Sequence, residues 1–224
     1  MVGQNHLSER YPPADIFQIL NEQHRLCSPL DPMADASFEL RPDTLIMDWQ
    51  DAQDLLPWNQ MALFHNQLFG IKVAMNDWKA VMCPEDERTL WDVCELIAQH
   101  ARREGIQPVK RLGKACLTAA VFLRLKRNLQ QKGVMVKGLK PSSALSPYLN
   151  QYYSPMVEEI TLFGEGILPH LTLKNPFRKR IFNSWVNWIL PTYRWEAEFD
   201  TGDIVTFRDL TQRIIEVKFP VTAL

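Results

Sequence analysis

Apolar residues recur every three or four positions in several segments of the chain, a spacing typical of helices with one buried face. The strongest apolar face runs through residues 113–133, and Gly133 follows its last turn as a helix-ending residue. Besides 113–133, the pattern predicts helices in five segments: 12–27, 59–73, 89–105, 154–167 and 206–219. Gly70 and Gly164 lie near the ends of the second and fourth of these.

Two of the predicted helices begin with the same signature. Asp92 follows Thr89 by three residues, and Asp209 follows Thr206 by the same interval. The pattern resembles a capping box with Asp in place of Glu, which satisfies the first backbone N–H groups of a helix. Asp15 is a third candidate cap, near the start of the first helix.

Two five-residue segments of the chain have related sequences, and we call each of them the repeated phrase. "LRPDT" occupies residues 40–44 and "LKPSS" occupies residues 139–143. Each phrase follows a predicted helix and precedes one of the two threonine caps, but the distance to the cap is longer in the second half. A duplicated helical unit, with an insertion near residues 172–203 in the second copy, explains this order. The alternative is coincidence, because both phrases and caps are common helix-start signals.

These patterns predict a mostly α protein, made of two small helical bundles packed together with little strand. The expected domains are residues 1–105 and residues 106–224. Residues 76–88 read as a connector between helices. Two short extended stretches, 196–205 and 215–221, are candidates for pairing with each other.

The order of segments in the first half carries a family resemblance. A helix is followed by the loop "LRPDTLIMDW", the helix and exit "MALFHNQLFGIKV", and the last helix "TLWDVCELIAQHA". This order resembles an acyl carrier protein. The run "FGI-x-V", "DW" and "T-x-x-D" within residues 69–92 is also similar to the small bacterial carrier-like family of DUF1493 type. The resemblance covers residues 13–101 and, more weakly, residues 112–217. It implies two carrier-like bundles in tandem.

The resemblance also implies a chemistry that this sequence does not support. Members of the carrier family bear phosphopantetheine on the serine of an Asp-Ser-Leu motif at the start of the second helix. The corresponding stretch here is "DWQDAQDLL", and the serine position falls on Ala52 or Gln53. Between Thr44 and Leu56 the chain has no hydroxyl side chain. Without that nucleophile no phosphodiester forms, so no cofactor is expected.

The second half contains hydroxyl groups near the corresponding place, but not in the required motif. Ser146 and Ser154 neither follow Asp nor precede Leu. The expected result is therefore a degenerate carrier fold in both halves.

Charge is unevenly distributed along the chain, although the whole chain has a net charge of -1. Residues 1–101 have a net charge of -10 and residues 102–140 a net charge of +10. A candidate partner-binding surface on and after the long helix comprises six basic residues: Arg124, Lys126, Arg127, Lys132, Lys137 and Lys140. Such a surface suits an acidic protein partner, including a true carrier protein, whereas docking onto the acidic first half or simple solvation are the alternatives. No nucleic-acid partner is expected, because no recognition motif accompanies the basic block.

A second candidate contact surface lies in residues 177–191. Its members are basic or aromatic: Arg178, Lys179, Arg180, Trp185 and Trp188. Basic and aromatic residues on one short helix suit a membrane interface or a protein partner. The same aromatic stripe is also what a helix packed into a core requires, and this alternative is favoured.

The sequence contains no nucleophile-elbow, zinc-protease, Walker or dinucleotide-binding motif. The five histidines have no metal-ligand spacing and read as surface or hydrogen-bonded core residues. Asp48, Asp51 and Asp54 lack the EF-hand spacing, so a solvated helix turn is favoured over a cation site. Glu158 and Glu159 read as a charge pair on a helix face.

The four cysteines lie far apart, and the first residues show no apolar segment of a secretory signal. Reduced thiols in a cytoplasmic protein are therefore expected. The favoured function is a non-enzymatic protein-interaction or regulatory module with a degenerate carrier-like fold. The alternative is a small-molecule or lipid-binding protein, or an enzyme, whose site is assembled from residues that sequence spacing does not reveal.

Overall fold

The computed structural model of the protein describes residues 9–111, 113–174 and 198–219, and these residues are mostly helical, as the sequence predicts. The helices are, in chain order, α1 Pro13–Cys27, α2 Ile46–Gln53, α3 Trp58–Leu68, α4 Met75–Met82, α5 Leu90–His100, α6 Leu117–Gln131, α7 Ser146–Gln151, α8 Tyr153–Thr161 and α9 Phe207–Lys218.

The strands are short and form separate antiparallel pairs. They are β1 Glu9–Arg10 with β2 Arg102–Arg103, β3 Val109–Arg111 with β4 Lys114–Cys116, and β5 Thr172–Leu173 with β6 Phe199–Asp200. The prediction that residues 196–205 pair with residues 215–221 is wrong. Residues 215–218 continue α9, so their backbone N–H groups bond within the helix, and β6 pairs with β5 instead.

The described chain divides into two compact units. Unit 1 comprises residues 9–105, and unit 2 comprises residues 106–111, 113–174 and 198–219. In unit 1, α1 packs against α5, and α4 packs against both α3 and α5. In unit 2, α6 packs against α8 and α9. Each unit has its own fully buried side chains: Ile16, Ile46, Trp78, Leu90 and Ile97 in unit 1, and Leu125, Leu129, Leu145, Met156 and Phe207 in unit 2.

In unit 1 the loop before α2 is bound to the first turn of α5. The first N–H groups of a helix have no acceptor within the helix and must find one elsewhere. The N–H of Leu90 donates to the Thr44 carbonyl at 2.8 Å, and the N–H of Trp91 donates to the Pro42 carbonyl at 3.0 Å. The Thr44 hydroxyl holds the loop in shape by accepting from the Arg41 N–H at 2.8 Å. We refer to this arrangement as the loop clamp.

Unit 2 has a loop clamp with the same bonds at the residues that the repeated phrase matches. The N–H of Phe207 donates to the Ser143 carbonyl at 3.1 Å, and the N–H of Arg208 donates to the Pro141 carbonyl at 2.6 Å. The Ser143 hydroxyl accepts from the Lys140 N–H at 3.0 Å, as the Thr44 hydroxyl does in unit 1. A loop of related sequence therefore meets a helix start in the same way in both units.

Both predicted capping boxes are confirmed. The N–H of Asp92 donates to the Thr89 hydroxyl at 3.4 Å, and the Asp92 carboxylate accepts from the Thr89 N–H at 2.9 Å. The corresponding distances are 3.3 Å and 2.8 Å between Thr206 and Asp209. The hydrogen bond from Thr206, which favours the charged carboxylate, lowers the pKa of Asp209 below its usual range.

The helices α3 and α8 also end alike, in Leu-Phe-Gly. Gly70 and Gly164 follow the two helices and have φ angles of 63° and 136°, where a side chain would be strained. Both predicted helix ends are confirmed. After this point the units differ. In unit 1, α4 lies between α3 and the clamped helix α5, whereas in unit 2 the described elements between α8 and the clamped helix α9 are β5 and β6.

Three local predictions are wrong. Residues 76–88 are not a plain connector, since α4 buries Trp78 and Met82, four residues apart on one face. The helix predicted over 89–105 stops at His100, because the following arginines pair with β1. Asp15 does not cap α1; its carboxylate forms an ion pair with Arg103 of β2.

Candidate functional site

A cavity lies in unit 1 among three elements and the linker between two of them. Its lining comes from α1 (Leu20 and Gln23), α2 (Trp49 and Gln53), the α2–α3 linker (Leu55 and Leu56) and α3 (Met61, Phe64 and His65). The volume of the cavity is about 20 Å³, counted as the space that the centre of a water molecule can occupy. That space accommodates about one water-sized group, so it does not hold a large cofactor.

Helical spacing places the polar residues of this cavity. Trp49 and Gln53 are four residues apart on α2, and Met61 and His65 are four residues apart on α3, so each pair lies on one face of its helix. Both faces line the same cavity. The side chain of α1 residue Gln23 completes the polar part of the lining.

Three nitrogen atoms of the lining lack an ordinary hydrogen bond. Trp49, Gln53 and His65 are only 2%, 8% and 2% exposed. No group in the described part of the chain accepts from Trp49 Nε1 or Gln53 Nε2, and none is bonded to His65 Nδ1. More than nine-tenths of buried polar groups in native proteins have a partner, and leaving one unpaired costs about 1–3 kcal/mol. Three such atoms beside one cavity therefore identify it as a candidate ligand site.

Aromatic rings surround His65. Its ring stacks on those of Trp49 and Trp78, with centroids 5.9 Å and 5.6 Å away, and lies edge-on to Phe64 at 5.4 Å. Burial lowers the pKa of His65 to about 4, although its interaction with the Met61 backbone acts in the opposite direction. The imidazole is therefore neutral at neutral pH. It was expected to be a surface or hydrogen-bonded core residue, and it is a core residue, although Nδ1 has no hydrogen-bond partner in the described part of the chain.

The two positions aligned with a carrier's attachment serine are unsuited to bear a prosthetic group. Ala52 is buried in α2, and Gln53 is buried beside the cavity. In unit 2 the Ser146 hydroxyl donates to the Phe199 carbonyl at 3.2 Å, and the Ser154 hydroxyl donates to the Glu158 carboxylate at 3.2 Å. Both serines thus already have structural partners.

The structure offers no strong thiol nucleophile at Cys94 and no metal cluster in the residues it describes. Burial raises the pKa of the Cys94 thiol to about 12, which keeps it protonated. Asp48 and Asp51 are exposed on α2, and Asp54 ends that helix with a φ of 47°. No group of three or more metal-ligating side chains occurs within 9–111, 113–174 and 198–219.

The six basic residues of the candidate partner-binding surface divide into two groups. Three of them make contacts within unit 2. Arg124 lies over the Phe163 ring at 5.2 Å, Lys126 donates to the Leu139 carbonyl at 3.1 Å, and Lys132 is paired with glutamates. The other three are exposed: Arg127, Lys137 and Lys140. Of these, Arg127 also donates to the side-chain oxygen of Asn128 at 3.3 Å.

The glutamates that pair with Lys132 form a buried cluster that the sequence analysis did not predict. Lys132 Nζ lies 2.5 Å from a Glu158 oxygen and 3.4 Å from a Glu159 oxygen. Asn128 donates to the other Glu159 oxygen at 2.9 Å. Removing one partner of a buried ion pair costs about 3–5 kcal/mol, so Lys132 is a structural residue rather than part of a free surface.

The second candidate contact surface lies outside the described residues. Its members, Arg178, Lys179, Arg180, Trp185 and Trp188, fall within residues 175–197. Among the helices that the structure describes, none is both long enough and apolar enough to cross a membrane.

Comparison of the chain with protein-family models, with curated proteins and with solved structures finds no match to any of them.

Sequence reasoning missed the cavity residues for a specific reason. The four-residue spacing of Trp49 and Gln53, and of Met61 and His65, is visible in the sequence. Tertiary packing decides which two helix faces meet. A four-residue spacing is common in helices, so its occurrence in two helices does not indicate that they line one cavity. The lysine–glutamate cluster was missed for the same reason, since Lys132 directly follows α6 whereas Glu158 lies in α8.

Proposed function

We propose that this chain is a non-enzymatic protein-interaction or regulatory module, built from two degenerate acyl-carrier-like units in tandem that do not carry phosphopantetheine. The observation that supports the tandem part of the proposal is the loop clamp, which occurs in both units with the same donors and acceptors at matched positions. Recognition by such a module takes place through helix faces, and complementary charge steers the encounter with an acidic protein partner.

The repeated bonds support a common origin of the two units better than shared composition does. Leu40 and Leu139 begin the matched phrases and are both buried. Isolated β-bridges join Leu45 to Thr89 and Ala144 to Thr206, at positions that the phrase alignment also matches. A coincidence of two common helix-start signals does not by itself require the same loop carbonyls to accept from the same helix positions.

The absence of carrier chemistry is supported by the residues of the α2 region. Residues 45–57 contain no hydroxyl side chain, and the aligned positions Ala52 and Gln53 are buried. A phosphopantetheinyl transferase needs an exposed serine hydroxyl as the attacking nucleophile. The proposed module therefore keeps the fold of a carrier and has lost its attachment site.

A cytoplasmic location, in a bacterial cell, belongs to the same proposal. All four cysteines are free thiols, as a reducing compartment favours. The bacterial assignment is supported only by the carrier-like resemblance of the sequence.

Intact-mass spectrometry tests the proposed loss of carrier chemistry. The purified protein is incubated with coenzyme A and a broad-specificity phosphopantetheinyl transferase, and an acyl carrier protein in the same reaction serves as the positive control. We expect the carrier to gain the mass of phosphopantetheine and this chain to gain none. An adduct on this chain would overturn the proposal, and its site would be mapped with Ser146 and Ser154 examined first.

A further inference from the structure

The cavity of unit 1 has a polar part and an apolar part. Trp49 Nε1 and Gln53 Nε2 are hydrogen-bond donors, and each lacks an acceptor among the residues that the structure describes. The remaining lining is largely aliphatic or aromatic, from Leu20, Leu55, Leu56 and neighbouring α3 side chains. Small-molecule sites in proteins characteristically combine an apolar lining with a few placed polar groups.

The hydrogen-bonding character of these polar groups determines which kind of ligand atom they can bind. The indole N–H and the amide NH2 can only donate, so they select an oxygen acceptor and disfavour a cation. Among the described residues, no lysine, arginine or carboxylate belongs to the lining, and a fully charged head group would be buried without a counter-ion from them. A neutral carbonyl oxygen satisfies the donors at a lower desolvation cost than a carboxylate does.

The apolar part lies toward the linker between α2 and α3. Leu55 and Leu56 in this linker are half-buried, whereas Trp49, Gln53 and His65 are almost fully buried. The space within the cavity suits about one oxygen atom. A ligand with its oxygen at the donors would therefore have its apolar tail outside this space, at the more exposed edge of the lining formed by the half-buried Leu55 and Leu56.

We propose that this cavity binds a small neutral molecule with a carbonyl oxygen on a short aliphatic tail. The oxygen accepts hydrogen bonds from Trp49 Nε1 and Gln53 Nε2, and the tail packs against Leu55 and Leu56. This site is independent of the proposed interaction function, since neither the loop clamps nor the exposed basic residues contribute to it.

Nuclear magnetic resonance titration tests the proposal with three probes that share one tail. Butyramide offers a neutral carbonyl, butyrate offers a charged carboxylate, and n-butylammonium offers donors only. We expect butyramide to move the Trp49 indole N–H resonance downfield in a saturable way, with a dissociation constant on the order of 1 mM for so small a ligand. Butyrate should bind at least several-fold more weakly, and n-butylammonium should leave the resonance in place.

A matched pair of variants separates the site from general effects. Gln53→Leu removes one donor and an unpaired buried amide, so the fold should persist while butyramide binds about tenfold more weakly. Gln60→Leu makes the same chemical change at an exposed position of α3 and should leave binding unchanged. The proposal is overturned if butyramide gives no saturable shift up to its solubility limit and the Trp49 indole shows contact with water alone. Equal loss of binding in the two variants would overturn it as well.

Discussion

At the scale of single residues, His65 is the most informative titratable group that the structure describes. Aromatic rings enclose it, and its pKa is lowered to about 4 chiefly by burial. In an unfolded chain the same imidazole has a pKa near its usual value of about 6.5. The unfolded state therefore binds a proton that the folded state excludes wherever the pH lies between these two values.

The sign of the resulting pH dependence follows from this difference. Stability contributed by the neutral His65 is fully present above about pH 6.5 and is progressively lost as the pH falls toward 4. Over that window the loss amounts to about 3 kcal/mol. We expect His65→Phe, which keeps an aromatic ring and removes the titration, to flatten the pH dependence of the free energy of unfolding between those limits.

Urea denaturation at a series of pH values measures this effect. His100→Gln is the control for the loss of a histidine as such, because His100 is exposed at the end of α5. The buried His24, whose pKa burial also lowers, contributes a slope of the same sign in every variant. If His65→Phe retains the slope of the parent protein, another group is responsible for it.

At the scale of elements, the start of α5 and the start of α9 are fixed by the same set of hydrogen bonds. At each start a threonine hydroxyl, an aspartate and two loop carbonyls satisfy the N–H groups that the helix leaves free. The caps were predictable because both partners lie within four residues of each other. The loop carbonyls were not, because their partners lie about fifty or more residues away and only the repeated phrase suggested a connection.

The same distinction explains which other elements the sequence predicted. Helices with a full apolar face and a glycine at the end, such as α3 and α6, were found within a few residues of their observed bounds. The short helix α4 was missed, because only Trp78 and Met82 mark its buried face and Pro84 follows closely. Pairing of β1 with β2 ended α5 earlier than its pattern indicated, since the competing bonds come from the distant N-terminal segment.

Removing either capping hydroxyl should destabilise its own unit by a similar amount. We expect Thr89→Ala and Thr206→Ala each to lower the free energy of unfolding by about 1 kcal/mol, whereas Thr89→Ser and Thr206→Ser retain the acceptor and lose little. Amide hydrogen exchange in α5 and α9 measures the loss in each unit separately. Markedly unequal losses at the two positions would contradict the equivalence of the two helix starts.

At the scale of the whole molecule, the two units differ in charge. Acidic residues outnumber basic residues in unit 1, and the reverse holds in the described residues of unit 2. The structure narrows the basic surface that the sequence suggested, because Lys132 stabilises the buried glutamates and Lys126 bonds to the backbone. Arg127, Lys137 and Lys140 are left as the exposed members on which an acidic partner would act.

Charge reversal at these three positions tests the partner proposal while Lys132, Glu158 and Glu159 keep their identities. We expect the triple variant Arg127→Glu, Lys137→Glu, Lys140→Glu to bind an acidic acyl carrier protein about tenfold more weakly than the parent does, because exposed ion pairs contribute about 0.2–1 kcal/mol each. Isothermal titration calorimetry at low salt gives the affinities, and circular dichroism verifies that the variants fold. Added salt should weaken binding to the parent more than to the variant.

A second triple variant supplies the same change in net charge at other exposed lysines: Lys72→Glu, Lys79→Glu, Lys110→Glu. If only long-range attraction acted, both variants would bind the carrier equally weakly, because this attraction depends on total charge. A localised contact would weaken binding only in the first variant. Equal weakening would therefore place recognition elsewhere on the molecule. Failure of the parent protein to bind the carrier at low salt would remove acidic carriers from the proposed partners and leave the exposed arginine and lysines as a solvated face.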